Sequence, residues 1–146
     1  MKWIASIAAG VVVLVAGIAI VGAMLPRNHR ASRTLRVKRS PTEVWPVLLT
    51  ATQGSDVPVD VLESAPPHRL VTRVTEQEKN FGGTWTIAIE ETPSAGSTVS
   101  ITEDGWVANP IFRFVSRFVI GHHATMDGML KQVATTLNEE PALSGE

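Results

Sequence analysis

The sequence predicts an α+β protein: an apolar N-terminal helix, then an antiparallel sheet of about five strands packed on a long C-terminal helix. Three observations lead there. The 22-residue run from Ile4 to Leu25 holds no charged residue and a single hydroxyl, Ser6. Short segments alternating apolar with polar residues, separated by turns rich in Pro and Gly, fill the middle of the chain. From Asn109 to about Leu137 the apolar residues recur at helical spacing.

As a helix rising about 1.5 Å per residue, the first run reaches roughly 33 Å, enough to cross a hydrocarbon core of about 30 Å. Lys2 and the α-amino group precede it, whereas Arg27, Arg30, Arg33, Arg36, Lys38 and Arg39 follow, with no acidic residue until Glu43. Lys and Arg beside a span are retained on the cytoplasmic side. The expectation is a single-pass cell-membrane protein whose C-terminal domain is cytoplasmic. The competing reading is a cleaved secretory signal, since Val21 and Ala23 form a small-residue pair of the kind found before cleavage sites. The run exceeds the roughly 7–15 apolar residues of a signal, and Lys2 alone makes a thin basic start, so an uncleaved anchor is preferred. The expected organisation is an anchor at 1–26, a basic juxtamembrane linker at 27–31, a folded domain at 32–138 and a flexible tail at 139–146.

A net charge of −1 hides an asymmetry, because residues 1–42 carry seven basic and no acidic side chains while 43–146 carry six basic and fourteen acidic. Arg27, Arg30 and Arg33 are the expected contacts to anionic lipid headgroups, each cation contributing about 1 kcal/mol near such a surface. The acidic remainder would repel phosphate, which argues against nucleic acid as a partner. The chain has no Cys, which excludes disulfides, thiolate catalysis and Cys-ligated metal sites.

The first strand is expected at Ser32–Arg39, where Leu35 and Val37 alternate with Arg36 and Lys38. Ser40-Pro41-Thr42-Glu43 then signals a helix start: Ser40 as cap, Pro41 in the first turn, and Glu43 three residues on to close a capping box. Pro46 should leave that helix short or bent, with a loop at Thr50–Asp56. Strands follow at Val57–Glu63, with Pro58 marking a sheet edge, and at Arg69–Thr75, Thr84–Glu91 and Ser97–Glu103. Gly82-Gly83 reads as a bulge or bend and Asp104-Gly105 as a turn. Asn109-Pro110 caps the last helix, Arg113 and Arg117 lie one turn apart on its polar side, and Gly121 is the expected point for it to bend or divide.

Several of these segments are similar to the SRPBCC superfamily, which groups START lipid-transfer domains, polyketide cyclases and pollen-allergen-like proteins. The residues that carry the resemblance are the basic run Pro26–Arg33 after a span and Ser40-Pro41-Thr42-Glu43-Val44-Trp45. Phe81-Gly82-Gly83-Thr84-Trp85-Thr86 and Ile101-Thr102-Glu103-Asp104-Gly105 follow, and Asn109–Val115 continues through Gly121-His122 to Thr125. The resemblance implies a helix-grip fold, in which a curved antiparallel sheet wraps a long C-terminal helix around an apolar cavity. It also implies a truncated version, because the pair of strands such proteins carry between the first helix and Val57 is missing. On this basis Trp45, Trp85, Ile87, Phe114, Phe118, Met126, Met129 and Leu130 are expected to line a sheet–helix groove for a hydrophobic small molecule or lipid. Read blandly, the same residues are the core of a small domain that needs every apolar residue it has, and the shortened sheet favours that reading.

Catalytic chemistry has little to start from. His123 and Asp127 share a helical face but lack a third ligand, so no metal is expected. Glu103 and Asp104 are strand neighbours pointing to opposite faces, which suits solvation better than acid–base work. There is no P-loop or dinucleotide fingerprint, and no cofactor is implied. The functional expectation is a membrane-anchored, non-catalytic domain binding a hydrophobic ligand. The alternatives are a cyclase- or hydratase-like enzyme and a protein-interaction module with a filled core.

Overall fold

The computed structural model describes residues 2–54, 57–75 and 80–145. Helix α1 (Lys2–Met24) is long and apolar enough to cross a membrane, and its side chains are almost entirely exposed. At about 1.5 Å per residue its 23 residues reach roughly 34 Å.

Strand β1 (Asn28–Val37) begins almost at once, so residues 28–31, expected as linker, belong to the sheet. The reason is long-range pairing: Asn28 lies opposite Trp106 and Arg30 opposite Asp104, and this ladder carries the strand beyond the apolar alternation at Leu35 and Val37. Helix α2 (Pro41–Gln53) starts where the capping signal lies, and Glu43 Oε2 accepts from the Ser40 backbone N–H at 3.0 Å. That hydrogen bond, with a second from the Ser40 hydroxyl, lowers the Glu43 pKa. Pro46 sits inside the helix without ending it, so Thr50–Gln53 are helical rather than loop, while Ser55 and Asp56 lie outside the described residues. The Val44, Trp45 and Leu48 face is buried, and that packing offsets the hydrogen bond Pro46 removes.

The remaining strands are β2 (Val59–Ala65), β3 (Arg69–Val74), β4 (Phe81–Glu91) and β5 (Ser97–Val107). Asp104-Gly105 is not a turn. It lies inside β5, held on one side by β1 and on the other by β4. Gly82-Gly83 likewise belongs to β4, with Gly83 opposite Gly105 and a Cβ at Gly82 only 2.8 Å from the Trp106 ring. These glycines give the Trp106 ring and the neighbouring backbone room to lie close.

The C-terminal segment is not one helix. Helix α3 (Pro110–Val115) is capped by Asn109, whose Oδ1 accepts from the Ile111 and Phe112 N–H groups at 2.8 and 3.3 Å. A π-helical turn (Ser116–Ile120) follows, Gly121 breaks the path at φ +80°, and helix α4 (Ala124–Thr136) comes after it. The tail then pairs back: β6 (Ala142–Ser144) adds to β1, with Leu35 opposite Leu143. The antiparallel sheet therefore has six strands in the order β2-β3-β4-β5-β1-β6, five long ones and this short sixth.

One sheet face packs on α2 and α4. Leu35, Ile87, Val99 and Ile101 from the sheet meet Val44, Leu48, Met126, Leu130 and Val133 from the helices, all with no solvent exposure. At the far edge, Val61 and Leu62 of β2 are exposed, as expected of an edge strand beyond the helical cover.

Candidate functional site

The residues expected to line a sheet–helix groove divide into two groups. Trp45, Ile87, Met126 and Leu130 are buried in the core, and Trp85 and Met129 are partly buried against it. They belong to, or pack against, one cluster of buried side chains. Phe114 and Phe118 lie elsewhere, ahead of the break at Gly121, with ring centroids 5.0 Å apart; Phe118 is 59% exposed. Of the segment after Asn109, only α4, beyond the break at Gly121, contributes to the core.

An open pocket of about 170 Å³ lies where α1 ends. Three separate stretches build it: the turn and start of β1 from Leu25 to Arg30, Val107 at the end of β5, and Arg113, Ser116, Arg117 and His122 of the broken helix. Hydrogen bonds to backbone carbonyls hold these stretches together. The Val107 N–H donates to the Arg27 carbonyl at 2.8 Å. Arg113 donates from one terminal nitrogen to the Leu25 carbonyl at 2.8 Å and from the other to the Ala108 carbonyl at 3.0 Å. Pro110 lies against Gly22, where any Cβ would collide with the Pro110 carbonyl.

The pocket is positively charged. Among the described residues, Arg27, Arg113 and Arg117 have no carboxylate partner, and Arg30 meets Asp104 only at 3.6 Å in a solvent-exposed pair. The stacked rings of His29 and His122, with centroids 4.2 Å apart, form part of the wall. His29 Nε2 donates to Glu103 Oε1 at 3.2 Å, and Gly105 leaves space for its ring, since a Cβ there would lie 2.5 Å from His29 Cε1. Burial lowers the His122 pKa, and the neighbouring His29 and Arg117 push it the same way. The site therefore favours an uncharged imidazole when empty.

Of the three arginines expected at headgroups, Arg27 and Arg30 line this pocket. Arg33 does not. Its Nε lies 2.8 Å from Asp127 Oδ1, with both side chains about three-quarters covered, and a terminal nitrogen donates to the Gly145 carbonyl at 3.0 Å. Asp127 is thus engaged by Arg33, and among the described residues no cluster of three metal-ligating side chains occurs. Glu103 and Asp104 serve His29 and Arg30 separately and form no carboxylate pair. His29 and the tie through Arg113 carry no signal in the sequence beyond the one-turn spacing of Arg113 and Arg117. His122, a neighbour of the His123–Asp127 pair, stacks on His29 instead of joining a metal site. A second, apolar hollow of about 210 Å³ between α2 and α4, lined by Val47, Ala51 and Gln132 among others, holds no ionisable group.

No protein-family model matches the chain, and no curated protein matches it. Solved structures do. A conserved protein from Geobacillus kaustophilus superposes with a TM-score of 0.59 at 10% identity, covering 79% of this chain and 99% of that one. CalU16 from Micromonospora echinospora gives 0.55 at 12% identity, with 80% and 88% covered. Protein MLL2253 from Mesorhizobium loti gives 0.56 at 11% identity, with 77% and 97% covered. At these identities the likeness is one of fold, and it supports a helix-grip fold for this chain.

Proposed function

We propose that the chain is a single-pass membrane protein whose cytoplasm-facing helix-grip domain binds an anionic lipid at the foot of its anchor, without chemistry on it. The observation that carries this reading is the cationic pocket where α1 ends, with Arg27, Arg113 and Arg117 unmatched by carboxylates among the described residues. A phosphodiester headgroup supplies the missing negative charge, and planar guanidinium groups are suited to phosphate oxygens. The volume of about 170 Å³ suits a headgroup better than a whole hydrophobic ligand, since drug-sized ligands occupy roughly 300–1,000 Å³. The acyl chains would stay in the bilayer beside α1. Orientation follows from the basic flank after α1, and the tether keeps the pocket at the membrane surface where such lipids are concentrated.

The test is native mass spectrometry of the full chain released from nanodiscs of equal phosphatidylglycerol and phosphatidylcholine. Preferential retention of phosphatidylglycerol, reduced by the double change Arg27→Ser and Arg117→Ser, supports the reading. Equal retention of both lipids, or retention indifferent to the two substitutions, would overturn it.

A further inference from the structure

We infer that the apolar ridge of α3 and the π-helical turn dips into the bilayer beside α1, giving the domain a second, non-spanning membrane contact. The inference rests on the reading of α1 as the anchor. Between Ile111 and Ile120 five large apolar side chains face outward: Ile111 is 40% exposed, Phe112 54%, Phe118 59%, Val119 72% and Ile120 60%. Exposed apolar residues gathered this closely mark an interaction surface.

Its occupant follows from the neighbouring helix. α3 is the element most extensively packed on α1, and the covered side of α1 falls on Ile18, Ala19 and Gly22 in its last two turns, continued by Leu25 just beyond it. The rest of that apolar helix is bare and suited to hydrocarbon. An element lying beside those turns stands at their depth, the boundary between hydrocarbon and headgroups. The polar side chains of the same segment agree, because Arg113 and Arg117 line the cationic pocket while the apolar ones lie outside it. Interfacial segments sink their apolar side about 5–10 Å while their cations remain among the headgroups. The π turn and the break at Gly121 fit the same role, ending the ridge and letting α4 return to the core.

The absence of native cysteine allows a direct test on the full chain in vesicles of phosphatidylcholine and phosphatidylglycerol. Single spin labels go on Val119→Cys, on Val12→Cys in α1, and on Lys131→Cys on the exposed side of α4. Collisions with oxygen, which partitions into hydrocarbon, are compared with collisions with a water-soluble nickel chelate. The expected result is that position 119 follows position 12, with nickel accessibility several-fold below that at 131. If 119 follows 131 while 12 reads hydrocarbon, the anchor stands and the ridge inference fails. If 119 is shielded from both reagents and shows spin–spin broadening, a second copy covers the ridge and the inference also fails. An aqueous reading at position 12 would remove the anchor itself.

Discussion

Arg113 donates to the backbone carbonyl of Leu25 at 2.8 Å, tying the broken helix to the end of α1. The same side chain donates to Ala108 at 3.0 Å, so one guanidinium fixes the positions of two walls of the cationic pocket. Arg113→Ala should therefore loosen the domain from α1. Hydrogen bonds from charged donors contribute about 1.5–3 kcal/mol each to stability. A fall of that order in denaturant unfolding of the detergent-solubilised chain is expected, and an unchanged midpoint would show that the tie carries no energy.

Gly22 makes the second tie. A Cβ there would collide with the Pro110 carbonyl, whereas Gly10 and Gly17 face open space. Gly22→Ala should separate α3 from α1, and Gly17→Ala should not. Distances between spin labels on α1 and α4 check this: the Gly22 variant should broaden the distribution and the Gly17 variant should match the parent.

Leu130 and Phe118, both expected in one groove, should behave oppositely. Leu130 has no solvent exposure, and truncating such a core residue to Ala costs about 2–5 kcal/mol. Phe118 is 59% exposed, so Phe118→Ser should leave the unfolding midpoint in detergent within about 0.5 kcal/mol of the parent. Equal losses at the two positions would contradict the division between core and ridge.

The His122 pKa lies below its ordinary value of 6.5, chiefly through burial and then through His29 and Arg117. Above that ordinary value both the folded and unfolded chains hold it neutral, and its contribution is fully present. As pH falls below 6.5 the unfolded chain takes up a proton that the folded chain resists, so stability declines toward the lower folded-state value. His122→Gln should flatten part of the loss between pH 7.5 and 5.5 in thermal melts. A bound anion favours the imidazolium, so by the same linkage lipid affinity should rise as pH falls.

Much of the frame is legible in the sequence because it depends on local chemistry. The apolar length of α1, the Ser40–Glu43 closure and the Asn109 cap each involve residues a few positions apart, and each forms where the spacing places it. The start of β1 is less visible, because Asn28 and Arg30 are held extended by Trp106 and Asp104 far along the chain. β6 is too short to show a period, and it is fixed by its register on Thr34–Arg36. The pocket draws on segments up to 97 residues apart, Leu25 to His122, so no local motif could reveal it, although the paired Arg113 and Arg117 were in view.

Selective binding of an anionic headgroup where α1 meets the domain should be visible as stabilisation by that lipid class alone. A ligand that binds only the folded chain stabilises it by RT ln(1 + [L]/Kd), about 2.7 kcal/mol at a hundredfold excess over Kd. The measurement is the thermal melt of the full chain in neutral detergent, titrated with short-chain phosphatidylglycerol or phosphatidylcholine. The predicted result is a saturable rise in Tm with phosphatidylglycerol alone, abolished by Arg27→Ser with Arg117→Ser. Equal shifts from both lipids, or a phosphatidylglycerol shift that survives those two substitutions, would contradict it.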